Sequence, residues 1–336
     1  MIRRAVWTAA VVAIVTGEAG ADALKKSLSG LLHHKDTVPA MVNLDAVPAK
    51  PKSRPAHAVV AVVGGEKIRK KVLDRFLSER TKGKVKDFDL LDKKQQRALI
   101  QEYYLPRFIF TQAKNAIPFE QRKAIYAQAW LAETARQTTV SDDEVKQAYD
   151  ALVQRARMRS AMQQIPPFDQ VKDRLKMELA QRKIVSQLMR GADIRVAENE
   201  KGVAGYVGKQ KITVQEANDV LAKLTNGMKS WDTLLPNERM QLLQTIAPQK
   251  VVAAMAMQNL TLKQKQNVIS NVWLQKKMRD VNVTEKELKQ RYKQIKKRTK
   301  KKKLPSFEQL KPMLQAQIAQ EKVMKHLMKQ IKVTLK

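Results

Sequence analysis

Apolar positions recur along this chain with two different periods. The stretch 58–70, AVVAVVGGEKIRK, reads as a strand, a turn and a second strand, with Gly64 and Gly65 supplying the positive φ of a tight hairpin. A related stretch, YVGKQKI at 206–212, keeps Gly208 and has Lys209 as its next residue. Short alternating pieces close two later regions, Ile194-Arg195-Val196 and Val333-Thr334-Leu335. Between these strands the period is helical. Phe168, Val171, Leu175, Leu179, Ile184 and Leu188 fall on one broad helix face, as do Phe307, Leu310, Leu314, Ile318, Val323 and Leu327. Ser141-x-x-Glu144 and Thr284-x-x-Glu287 predict capping boxes at two helix starts. Pro106 is expected to kink or break a helix over 99–110. The expected fold class is mainly α.

The patterns come in pairs because the chain repeats itself. VSDDEVKQAYDAL at 140–152 returns as VTEKELKQRYKQI at 283–295, with 5 of 13 positions identical. The segment 166–189 returns at 305–328 with 10 of 24 identical. Thr81 and Gly83 match Thr225 and Gly227, Leu105-Pro106 matches Ala247-Pro248, and Trp130 matches Trp273. The expected domains are two tandem helical lobes at 58–196 and 202–336, each with a short β-hairpin and a closing strand. Each closing strand could pair with its own hairpin or with the other copy's, and the pattern leaves both open.

The N-terminus has the order of a secretory signal. Arg3 and Arg4 precede a 12-residue apolar run at 5–16, and Ala21 and Ala23 fit a signal-peptidase site. A cleavable signal peptide over 1–23 would send the protein to the periplasm and leave no permanent transmembrane anchor. Residues 24–57, with four prolines at 39, 48, 51 and 55, read as an irregular tether.

These motifs resemble the SurA/PpiD/PrsA-type periplasmic foldases. The likeness lies in the V-x-V-V-x-G-x-x-I start and in V-[ST]-[DE]-x-E-[VL]-K-Q-x-Y followed by P-x-F-[DE]-Q-[VL]-K-x-x-L. It implies a SurA N-terminal-like chaperone lobe, present twice. In that family a parvulin prolyl isomerase domain sits between the last two segments. Here only 13 residues separate Leu152 from Pro166, and nine separate Ile295 from Pro305. A parvulin domain needs about a hundred residues. The histidines are His33, His34, His57 and His326, and none lies in either gap. The expected protein is therefore a binder, without prolyl isomerase activity and not an enzyme.

Composition supplies the partners. There is no cysteine, no Walker-type loop, no H-E-x-x-H and no G-x-S-x-G, so no cofactor and no metal is implied. The net charge is +33, which attracts acidic polypeptides or anionic envelope polymers. The expected export argues against nucleic acid as a partner. The expected role is an ATP-independent holdase for unfolded or partly folded exported polypeptides, as in outer-membrane protein biogenesis. The alternative is an envelope scaffold or binding protein for a fixed acidic partner or an anionic polymer. Candidate client contacts are Tyr103, Tyr104, Phe108 and Phe110, with adaptable Met158, Met162, Met255 and Met257. Candidate anion contacts are Lys296, Lys297, Arg298, Lys300, Lys301, Lys302 and Lys303.

Overall fold

A computed structural model describes residues 53–158, 165–198, 200–298 and 305–336. The expected signal peptide, most of the tether, Met162 and Lys300 to Lys303 lie outside these residues. The fold is mainly α, with two three-stranded antiparallel sheets. Among the described residues no helix is long and apolar enough to cross a membrane.

Both copies run through the same elements. The first has β1 (Val59–Val63), β2 (Glu66–Arg69), α1 (Lys70–Arg80), a 3-10 turn (Phe88–Leu90), α2 (Lys93–Ala116), α3 (Phe119–Gln137), α4 (Asp142–Met158), α5 (Phe168–Met189) and β3 (Ile194–Val196). The second has β4 (Val203–Val207), β5 (Gln210–Thr213), α6 (Val214–Thr225), a 3-10 turn (Trp231–Thr233), α7 (Pro236–Asn259), α8 (Leu262–Arg279), α9 (Glu285–Arg298), α10 (Phe307–Gln330) and β6 (Val333–Leu335).

The two hairpin turns differ as their sequences require. Gly64 and Gly65 both have positive φ, 57° and 82°. In the second hairpin only Gly208 does, at 53°, the φ pattern of a type II′ turn that accepts Lys209. Helix α2 continues through Pro106, which lies on an exposed part of its surface, and α7 continues through Pro248. Neither proline ends its helix, so of the two outcomes expected at Pro106, a kink or a break, the break does not occur. Helices α2 and α7 are each 24 residues long. Aligned by their ends, Pro248 stands opposite Leu105 rather than Pro106, which corrects the pairing of those dipeptides.

The strands are exchanged between the copies. β3 pairs with β4, and β6 pairs with β1, giving sheets β2-β1-β6 and β3-β4-β5. Chain length explains the first pairing, since residues 197–202 are a hairpin-sized link between β3 and β4. That leaves the open edge of β1 for β6. The compact units therefore cut across the expected lobes at 58–196 and 202–336. Unit 1 holds the described residues up to Phe108 together with Lys277–Lys336, and unit 2 is Ile109–Lys276.

In unit 2, α3 packs chiefly on α7, with α5 against both. One core gathers Val207, Ile212, Leu221, Trp231, Leu243 and Ile246. Another gathers Val140, Val145, Val171, Leu175 and Ile184. In unit 1, Val60, Val63, Leu73, Leu77, Phe88, Leu99 and Ile100 are buried. Leu288, Leu314 and Ile318 form the core of its α9–α10 hairpin.

The residues shared by the copies hold these helix hairpins closed. Tyr149 meets Phe168 edge-on at 5.3 Å and donates its hydroxyl to the Pro166 carbonyl at 3.1 Å. Tyr292 meets Phe307 at 5.6 Å and donates to the Pro305 carbonyl at 3.1 Å. Both predicted capping boxes form, and each carries a lysine from the next helix. Lys183 lies 2.7 Å from Glu144, and Lys322 lies 2.7 Å from Glu287.

Candidate functional site

The aromatic candidates on α2 are half-buried rather than freely displayed. Tyr103 packs edge-on against Phe76 at 5.4 Å. The Tyr104 hydroxyl lies against the β1–β2 turn, where a Cβ on Gly64 would come within 2.9 Å of it. Phe108 and Phe110 are also half-buried, and they fall in units 1 and 2 respectively. Met255 and Met257 are half-buried along α7, flanking the buried Ala256. Met158, by contrast, is 85 % exposed at the end of α4. Lys296 and Lys297 are exposed near the end of α9, and Arg298 is its last residue.

A different apolar group stands out when equivalent surfaces of the two units are compared. The α6–α7 junction of unit 2 exposes Leu224 (46 %), Met228 (81 %) and Leu235 (68 %). Local hydrogen bonds hold this junction together. The N–H groups of Met228 and Lys229 donate to the carbonyl and hydroxyl of Thr225 at 3.1 and 3.2 Å. The Glu238 carboxylate accepts from the Lys229 ammonium at 2.6 Å and from the Leu235 N–H at 3.0 Å.

The α1–α2 junction of unit 1 has the same wiring and different side chains. Val85 N–H donates to the Thr81 hydroxyl at 3.1 Å, as Lys229 does to Thr225. The Phe88 N–H is received by Asp74 at 2.8 Å, and the Trp231 N–H by Asn218 at 2.7 Å. On this alignment Leu224, Met228 and Leu235 stand where unit 1 has Arg80, Lys84 and Asp92.

Leu235 is the most telling of the three. It occupies the N-cap of α7, a position that favours Asp, Asn, Ser or Thr because their side chains accept a free helix N–H. At the equivalent cap Asp92 does this, receiving the Gln95 N–H at 2.8 Å. Leu235 forgoes that bond and exposes its side chain as well. Repetition searches in the sequence could have found the contrast, since it needs only the two junctions written one above the other.

Unit 1 carries a charge network around Lys70. Lys70 is 4 % exposed and lies 2.8 Å from Asp74 and 2.7 Å from Asp87. Arg54, from the end of the expected tether, pairs with Asp89 and donates to the Lys336 carbonyl at 2.5 Å. Burial alone would raise the carboxyls of Asp87 and Asp89, but their hydrogen bonds to Lys70 and Arg54 respectively hold both below the ordinary value. Burial would likewise lower the Lys70 ammonium, which Asp74 and Asp87 instead hold above its usual value. The network is saturated by its own partners, so it reads as an anchor for residues 53–58. No group of three or more potential metal ligands occurs among the described residues.

Comparison with known protein families, with curated proteins and with solved structures finds no match.

Proposed function

We propose that this chain is an ATP-independent periplasmic holdase, which covers apolar segments of unfolded exported polypeptides and has no prolyl isomerase activity. The observation that carries this reading is the α6–α7 junction of unit 2. Its exposed leucines and methionine occupy positions that the same fold fills with charged residues in unit 1. Local stability favours the charged version, above all at the cap, so the apolar version is best explained by what it contacts. Met228 adds an adaptable thioether suited to varied sequences. The net charge of +33 would bring acidic clients in. The signal-like N-terminus and the resemblance to periplasmic foldases support the compartment.

The test is aggregation of an unfolded outer-membrane protein, followed by light scattering with an equimolar amount of this protein. Suppression is expected. A variant carrying Leu224→Arg, Met228→Lys and Leu235→Asp copies the side chains of unit 1 and should fold. Leu235→Asp supplies a cap worth about 1 kcal/mol. This variant should lose most of the suppression. No suppression by the parent protein at any salt concentration sinks the holdase reading, and undiminished suppression by the folded variant removes the junction from it.

A second reading, an envelope scaffold for an acidic partner or anionic polymer, draws on the exposed Lys296 and Lys297. It requires binding that survives the triple substitution and is lost when both lysines become Ser.

A further inference from the structure

The outer edge of β6 offers backbone groups and free cations together. β6 is an edge strand, paired only with β1. The Lys336 N–H donates to the Val60 carbonyl at 3.1 Å, which makes that pair a hydrogen-bonded one. In an antiparallel ladder such pairs recur every second residue, so Thr334 faces Val62 in the same way. Val333 and Leu335 therefore direct their N–H and C=O groups away from β1. No donor or acceptor among the described residues meets those groups.

A groove of about 410 Å³ runs beside this edge, lined by Val333, Thr334, Leu335 and Lys336 and by Lys93 and Arg97 of α2. Gln101, further along α2, donates to the Ile331 carbonyl at 3.1 Å and so holds the helix beside the strand. Lys93 and Arg97 are exposed and make no ion pair among the described residues. Unit 2 provides the contrast. The corresponding edge of β3 points Ile194 and Val196 outward, but α7 has Pro236 and Met240 where α2 has Lys93 and Arg97.

We propose that this groove binds an extended acidic peptide segment, which adds to β6 as a further strand while its carboxylates meet Lys93, Arg97 and Lys336. The outward backbone groups of Val333 and Leu335 require a partner with peptide N–H and C=O groups at strand spacing. The uncompensated cations select acidic side chains on that partner. Among the described residues the site occurs once, because unit 2 has the edge without the charges. It goes beyond the holdase reading and does not depend on it, since it concerns a short segment rather than client aggregation.

The experiment is fluorescence anisotropy with a labelled peptide of alternating Glu and Val, titrated with the full chain. Saturable one-to-one binding that weakens with salt is expected. Charge reversal by Lys93→Glu with Arg97→Glu should weaken it about tenfold or more. The same peptide N-methylated on alternate backbone nitrogens, with its charge unchanged, should also bind at least tenfold more weakly. Val333→Pro removes an outward N–H without touching the β1 ladder and should act likewise if the melting temperature is kept. Equal binding of the methylated peptide would reduce the site to a plain charge contact and overturn strand addition. Equal binding to the charge-reversed variant would overturn the groove. An anionic polysaccharide that displaces the peptide as well as unlabelled peptide does would overturn the selection for peptide.

Discussion

At one position the two sheets differ by a single methyl group. Gly205 in β4 stands where β1 has Ala61, and both strands carry a register shift at this point. A Cβ on Gly205 would lie 2.4 Å from the Arg195 carbonyl oxygen and 2.4 Å from a Leu243 methyl. The first neighbour is backbone of the exchanged strand and cannot turn away. Gly205→Ala should therefore destabilise unit 2 by about 1–3 kcal/mol, whereas Ala61→Gly should cost only about 0.5–1 kcal/mol. Urea unfolding of the two variants checks this, and equal losses would contradict it. The sequence displays the Gly/Ala difference plainly but not its cause, because the clashing carbonyl belongs to a strand whose pairing the pattern left open. Leu235 was hidden for another reason. Apolar periodicity makes a leucine ahead of a helix look like core, and only the matching Asp92 marks it as a cap position.

Helix starts were the most legible elements. Ser141-x-x-Glu144 and Thr284-x-x-Glu287 both close as capping boxes, because the spacing alone brings N-cap and third residue together. What the spacing could not show is the lysine from the following helix that joins each box. The Lys322 ammonium and the Thr284 N–H hold the Glu287 carboxyl down to about 2 from an ordinary 4.5, and Lys183 with Ser141 lowers Glu144 in the same direction. A carboxyl depressed in the folded state contributes its stability in full above the ordinary value and loses it as pH falls through the folded one. The α9–α10 hairpin should therefore weaken between pH 4.5 and about 2. Lys322→Met should flatten the fall of melting temperature over that window, and an unchanged slope by circular dichroism would count against the linkage. The shared Tyr, Phe and Pro residues have a similar lesson. They were legible as a family-like motif, and their contacts show them closing a helix pair.

Across the whole molecule, the doubling was readable and the wiring was not. Repeated motifs place 58–196 and 202–336 as copies, but compactness follows strand pairing, and the short link at 197–202 sends β3 to β4 instead of to β1. Each copy thus supplies part of both units. Separate fragments 53–196 and 203–336 should fail to form folded monomers, and mixing them should restore a one-to-one complex with the helical signal and cooperative melting of the parent. Size-exclusion chromatography with circular dichroism decides the matter, and a cooperatively melting monomer of either fragment alone would contradict the exchange. The same wiring sets an order of events for a chain made from its N-terminus. Ile109–Lys276 is one continuous stretch and has all its parts as soon as that stretch has emerged. The β1–β2 hairpin emerges earlier yet waits for β6, the last strand, with about 270 residues intervening. During that interval the open edge of β1 lacks β6 as its mate, so a delay in making α9 and α10 would leave this strand ready to pair with a neighbouring molecule.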